Sequence, residues 1–427
     1  MTELHEHSFG ALYEMSSGIS STPAQAGHGA PFLSFSTVFN NHFLPDVLPD
    51  LMDTSESEQV AYSIREGDIF LTRTSETVDE LGMSSVALKD YPSATYSGFL
   101  KRLRPKGQGQ TDPRFMAFYL RSPLFRKTMT NNAVMVLRAS LNEQIFSYLK
   151  LLLPNFDVQT RIGELLHRMN AKIDLNKRIN AELEALAKTI YDYWFVQFDF
   201  PDAHGRPYKS SGGAMVWNDT LKREIPAGWE ARTLGSIISR AGTGLNPRDN
   251  FVLGSGNYYY VTIKNVTNGR IVLDEKCDKI DDASMAIIDR RSQLQAGDIL
   301  FTSIEPVGVT YLLHEKPTNW NINESVFTIR PDPKLVSPEY LLMLLSSSEM
   351  KAFTKNSSAG SIHKGIRHAV LKSFPFAYAG RQLVDECSSS LRTILQKIDN
   401  LDKQNRELTQ LRDWLLPLLM NGQVRVA

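Results

Sequence analysis

Nine lysines and arginines (Lys101, Arg102, Arg104, Lys106, Arg114, Arg121, Arg126, Lys127 and Arg138) fall within residues 101–138, against a single acid, Asp112. A second run, residues 351–372, holds Lys351, Lys355, Lys364, Arg367 and Lys372 and no acid. Cations gathered in this way suit a polyanion, because they release counterions from phosphates and hold charge against charge. The first 59 residues carry eight acids, from Glu3 to Glu58, and no lysine or arginine. The net charge of zero is therefore an average over segments of opposite sign.

Reaction chemistry is not signalled. The chain has no GxxxxGK[ST] phosphate loop, no HExxH and no GxSxG, the signatures of nucleotide, zinc and nucleophilic-serine sites. The string nearest to an adenine methyltransferase's Asn-Pro-Pro-Tyr is Asn246-Pro247-Arg248-Asp249, which lacks it. Cys277 and Cys387 stand far apart and the nine histidines are scattered, so neither a disulfide framework nor a metal site is indicated. No apolar run approaches the ~20 residues of a membrane span, and the first residues do not read as a signal peptide. The expectation is a cytoplasmic protein with no membrane contact.

The elements that must position the cations come in two copies. Residues 172–183 read KIDLNKRINAEL and residues 397–408 read KIDNLDKQNREL, an offset of 225. Upstream, Gly67-Asp68-Ile69 is answered by Gly297-Asp298-Ile299, and PFLSFSTVF from Pro31 by YYVTIKNVT from Tyr259. Residues 31–38 and 68–72 read as strands, and 113–129 as helix with a break at Pro123. A period this long is one large module written twice. Between the copies, residues 201–228 hold seven prolines and glycines, too many helix breakers for anything but a linker.

Each copy ends in a heptad-like helix. One seam runs Ile162, Leu166, Met169, Ile173, Asn176, Asn180, Leu183, Leu186, Ile190, and the other Val384, Cys387, Leu391, Ile394, Ile398, Leu401, Asn405, Leu408, Leu411, Leu415. Apolar steps of three and four over about four heptads predict a coiled coil, and a polar seam residue fixes its register. Helices related by a pseudo-twofold axis pack antiparallel, bringing Asn176 or Asn180 to Asn405, with a domain at each end of a rod ~55 Å long.

The block from Trp194 through Phe198-Asp199-Phe200-Pro201, Gly205-Arg206-Pro207-Tyr208 and Met215-Val216-Trp217-Asn218 to Ile225-Pro226-Ala227-Gly228-Trp229 resembles the specificity subunits of type I restriction–modification systems. The two Gly-Asp-Ile elements and both heptad helices are similar to that family as well. The resemblance implies a mixed α/β fold: target recognition domains at 1–155 and 229–378, a central helix at 156–200, a linker at 201–228 and a C-terminal helix at 379–427. It implies a non-catalytic subunit that reads a split site on double-stranded DNA and docks two modification (methyltransferase) subunits and restriction subunits. S-adenosylmethionine, ATP and Mg then belong to those partners, and this chain needs no cofactor. A coiled-coil scaffold without DNA specificity, or a fused methyltransferase or nuclease, are the rival readings.

Phosphates attract Lys and Arg, and base edges call for Arg, Lys, Asn, Gln or hydroxyls. The candidates for DNA contact are Arg73, Lys101, Arg102, Arg104, Arg138 and Asn142 in the first copy. In the second they are Lys264, Ser361, His363, Lys364, Arg367 and His368. Where the first copy has Thr72-Arg73 the second has Thr302-Ser303, so an Arg73 contact does not carry over. Tyr193, Trp194, Phe195 and Phe198 read as helix-end packing or a surface for partner subunits.

Overall fold

In a computed structural model of the chain, residues 3–75, 81–132, 134–135, 139–140, 149–358 and 365–426 are described. They form two compact units, residues 1–176 with 403–427, and residues 177–402. Each is built on the same antiparallel four-stranded sheet. In the first the strand order is Tyr13–Ser17, Leu100–Pro105, Ile69–Thr72, Ser84–Val86. In the second it is Ile238–Thr243, Val326–Pro331, Ile299–Thr302, Thr310–Leu312. A smaller sheet accompanies each and contains one parallel pair, Ala26–Leu33 with Thr95–Tyr96 and Tyr258–Val261 with Trp320–Ile322.

The Gly-Asp-Ile motif is explained by this sheet. Gly67 and Gly297 adopt φ +83° and +86°, the left-handed position of a tight turn that only glycine takes freely. The following aspartate closes the turn: Asp68 accepts from the amide of Arg65 at 2.8 Å and Asp298 from that of Gln295 at 2.9 Å. Each carboxylate then receives a two-pronged guanidinium from a nearby strand, Arg104 at 2.8 and 2.6 Å, Arg330 at 2.7 and 2.9 Å. Both aspartate side chains are fully buried, and only a hydrogen-bonded counter-charge makes such burial tolerable. Beyond them side chains alternate between two cores. Ile69 and Leu71 enter one and Phe70 the other; Ile299 and Phe301 likewise enter one and Leu300 the other. Period-two alternation with both faces covered accounts for three successive apolar residues in each strand. The threonine that ends each strand pins the returning chain, its Oγ1 accepting from Met83 N or Val309 N at 2.9 Å.

Two readings are refined. Residues 31–38 are strand only as far as Leu33. Ser34 then caps a helix, Phe35–Asn40, by accepting from Thr37 N, which diverts the chain from extended structure. The segment 201–228 is folded: a hairpin pairs Met215–Asn218 with Arg223–Pro226, and Asp199 accepts from Ser210 N and Oγ. Phe200 stacks between Tyr208 at 4.7 Å and Trp229 at 5.3 Å.

The long helices span Phe156–Tyr191 and Arg381–Met420, the first passing into a π-turn at Asp192–Val196. Within the first unit they run antiparallel: Asn176 Nδ2 donates to Asn405 Oδ1 at 2.9 Å, and Arg412 donates to Asn170 at 3.2 Å. The second unit repeats the direction, with Asn180 donating to Asp402 at 2.7 Å and Ala187 and Tyr191 sharing a core with Leu391 and Cys387. Asn176 and Asn180 are buried seam residues, in keeping with the heptad reading. Leu186 and Leu411 are not: they are 47% and 43% exposed, and Ala187 takes the inward place. A helix of 3.6 residues per turn drifts by ~20° per heptad from a strict seven-residue repeat, which displaces the seam at this distance.

Candidate nucleic-acid interface

In each unit the residues that follow the Gly-Asp-Ile strand pair with residues that adjoin sequence candidates for DNA contact. In the first, Thr74–Ser75 pairs antiparallel with Ala139–Ser140. In the second, Ile304 bridges antiparallel to Gly365, and Ile366 N donates to Ser303 O at 2.8 Å. The two junctions share a backbone hydrogen bond: Arg73 N donates to Phe99 O and Ser303 N to Ser325 O, both at 2.9 Å. One backbone frame therefore presents two side-chain sets. Arg73 is exposed, with Phe99 beside it at 66% exposure. Ser303 is buried and its hydroxyl is spent on Ser325 O at 2.8 Å.

Arg138, Asn142, Ser361, His363 and Lys364 lie outside the described residues. Arg367, which precedes the short helix His368–Lys372, is exposed. His368 is turned inward: its ring stacks on Phe327 at 3.7 Å, and burial, then the charge of Lys372, lowers its pKa. Lys264 is exposed on the turn Ile263–Asn265, apart from the Gly365 pairing.

Lys101, Arg102 and Arg104 serve the first unit's interior. Lys101 and Arg102 are 7% and 9% exposed and donate to Ser17 Oγ and Ser63 O, both at 2.7 Å. Arg104 is held by Asp68 and also donates to Ser63 O. Arg121, from the same basic run, donates to the carbonyls of Ser84, Val38, Phe39 and Asn41. Burial, reinforced by Arg126, lowers its pKa to about 10. Much of the run 101–138 is thus structural cation, whereas Lys351, Lys355, Arg367 and Lys372 of the second run are all on the surface.

Of the aromatic residues at the end of the first long helix, Phe195 and Phe198 are buried and Trp194 packs partly against the second unit's core. Phe198 meets Trp229 edge-on at 5.2 Å, with the Arg223 guanidinium 4.6 Å above its ring. Tyr193 alone of the four is exposed, at 37%.

Sequence reasoning missed two features. Asp68 and Asp298 organise the strand ends, and their signal was the repeated Gly-Asp-Ile itself. Arg270 ties the second domain to both helices of its unit, donating to Glu184 at 3.0 Å and Asp402 at 2.7 Å; nothing local in sequence marks it. Among the described residues no group of three or more His, Cys, Asp or Glu could hold a metal ion. Among them, too, no helix is long and apolar enough to cross a membrane.

A family model for the type I restriction modification DNA specificity domain matches residues 23–185 and 226–378. The type I restriction enzyme MjaIX specificity subunit of Methanocaldococcus jannaschii is 24% identical over 284 residues, 64% of this chain and 60% of that protein. The HindI specificity subunit of Haemophilus influenzae is 22% identical over 326 residues, 65% and 70% of the two chains. The match to the first thus spans less than two thirds of its length. In fold, the chain is similar to the crystal structure of the S subunit of a type I restriction–modification system from M. genitalium: TM-score 0.61, 13% identity, 98% of this chain and 96% of that one.

Proposed function

The chain belongs to the type I restriction–modification DNA specificity family, and from that premise we propose that it reads a bipartite site on double-stranded DNA, one half with each repeated domain. The observation that carries this reading is the duplicated junction. One backbone frame, built on Gly-Asp-Ile, offers exposed Arg73 and Phe99 in the first unit; in the second, Ser303 is buried and Ser325 and the neighbouring exposed Arg367 stand in their place. A shared frame with divergent side chains is what reading two different sequences requires, because base edges are told apart by side-chain chemistry.

In this reading the chain is non-catalytic and works in the cytoplasm. The helices dock two modification (methyltransferase) subunits, and restriction subunits join them; S-adenosylmethionine, ATP and Mg are used in those partners. Leu186 and Leu411, at matching positions of the duplicated helices, support two equivalent docking places, each being a leucine left more than 40% exposed. Exposed Tyr193 extends the first. The test is sequencing of methylated adenines in a host that expresses the chain with its modification subunits. A chimera with residues 357–368 replaced should alter one half of the methylated sequence and leave the other unchanged. Methylation by the chain alone, or changes in both halves, would overturn the reading.

A further inference from the structure

We infer that Phe99 is a specificity-determining residue, reading the 5-methyl group of a thymine in the half-site taken by the first unit. The inference rests on the reading of the chain as a DNA specificity subunit and adds a named contact to it. Phe99 is the most exposed large aromatic side chain among the described residues, at 66%, ahead of Trp414 at 62% and Trp217 at 60%. Its backbone is not loose: Phe99 O accepts from Arg73 N at 2.9 Å, and its own amide donates to Ser97 Oγ at 3.2 Å. The next residue, Leu100, is fully buried and enters the sheet opposite Thr72. A phenyl ring is thus held in water on a fixed support, beside the exposed Arg73 and next to the strands Thr74–Ser75 and Ala139–Ser140.

The ring's chemistry selects its partner. A phenyl group offers no donor or acceptor, so it reads a base edge only through apolar contact, and the thymine methyl is the apolar group that major-groove edges present. The second unit has Ser325 at the same point of the frame, which has no apolar surface to offer. The two half-sites should therefore differ in their need for a methyl group at this position.

The experiment uses the full chain co-expressed with its modification subunits. The bound sequence is first selected from a randomised duplex library. Duplexes of that sequence then have each thymine of the first half-site replaced singly by deoxyuridine, which removes only the methyl. Wild type should lose roughly five- to a hundred-fold in affinity at one position, the range of a single mismatched pair. Phe99→Ser should bind the parent duplex more weakly by a similar factor, be indifferent to uracil at that position and keep the wild-type thermal midpoint. A selected first half-sequence with no A·T pair, uracil tolerated everywhere by wild type, or a Phe99→Ser loss equal across all sequences would each overturn the inference while leaving bipartite recognition standing. A wild-type complex with no sequence preference would bring down both.

Discussion

Replacing Asp298 by Asn tests whether the buried carboxylate holds the second unit's four-stranded sheet together. The side chain is fully buried and takes three hydrogen bonds: from Gln295 N at 2.9 Å and from Arg330 Nε and Nη2 at 2.7 and 2.9 Å. Asparagine matches it in size but has one acceptor oxygen in place of two. If that oxygen serves the turn, the amide nitrogen faces the guanidinium donor to donor; if it serves Arg330, the turn amide is orphaned. In either rotamer the positive charge of Arg330, only 21% exposed, loses its counter-charge. Breaking a buried pair from one side costs ~3–5 kcal/mol, and the residual exposure of Arg330 puts the estimate near ~3 kcal/mol. At ~2–4 °C per kcal/mol for a domain of this size, the midpoint of the second unit should fall by roughly 6–12 °C. Tryptophan fluorescence during heating reads it selectively, since Trp194, Trp217, Trp229 and Trp320 lie in that unit and only Trp414 in the other. The double variant Asp298→Leu, Arg330→Met removes both charges and should lose less than Asp298→Asn alone. A fall under ~2 °C for Asp298→Asn, or a double variant worse than the single, would refute the idea that an uncompensated charge is what hurts.

Further outcomes follow from other sites. Arg367→Ala should weaken binding by ~1–3 kcal/mol and relax preference in the second half-site only if Arg367 reads a base; in competition binding, a uniform loss would mark a phosphate contact and no loss would remove it from the site. Burial lowers the pKa of both His167 and His368 below the usual 6.5, so the unfolded chain takes up these protons first. Stability should therefore fall as pH drops below about 6.5, and urea midpoints that stay flat from pH 7 to 5 in wild type, or slope equally in His167→Gln, would contradict the sign. Burial pushes the Cys387 thiol up to about 12 and raises that of Cys277 as well; Ellman's reagent at pH 8 should find neither in the folded chain and both in denaturant. Replacing the Asn176–Asn405 pair by leucines should hold or raise the thermal midpoint of the first unit, because the exchange removes buried Asn176 together with its half-buried partner and strands neither; a fall beyond ~1 kcal/mol would show that the pair stabilises as well as sets register.

What sequence disclosed and what it hid have one cause. The repeat, the Gly-Asp-Ile strands, the capped helices and the polar seam residues leave local traces, since turns, strand alternation and three-four spacing are read over a few neighbours. Asn176 does meet Asn405 for that reason. Partners far along the chain leave no such trace. Arg104 reads in sequence as a cation free for DNA, whereas Asp68, 36 residues earlier, holds it, and Lys101 and Arg102 lie on a strand whose inward faces no charge count can reveal. Leu186 was misplaced by the slow drift of a seam, an error that grows with helix length. The proline- and glycine-rich stretch 201–228 read as linker because breakers exclude helix but say nothing of a ring stack between Phe200, Tyr208 and Trp229. Nor does sequence show which aromatic stays in water, and so Phe99 escaped it.

The first unit closes on residues from both ends of the chain: Leu419 and Met420 share one core with Phe9, Leu12 and Ile69. The second unit is continuous, residues 177–402. On a ribosome the order of completion is therefore reversed relative to the order of appearance. The opening domain emerges first, then waits while the intervening unit is made, roughly 10–45 s at ~5–20 residues per second. Through that interval a patch of its apolar interior has no cover. The later unit has all its parts as soon as it emerges. A ribosome that stalls, or a frameshift shortly before Leu419, should spare the second unit and ruin the first, so damage late in the sequence would be felt by the domain made before it.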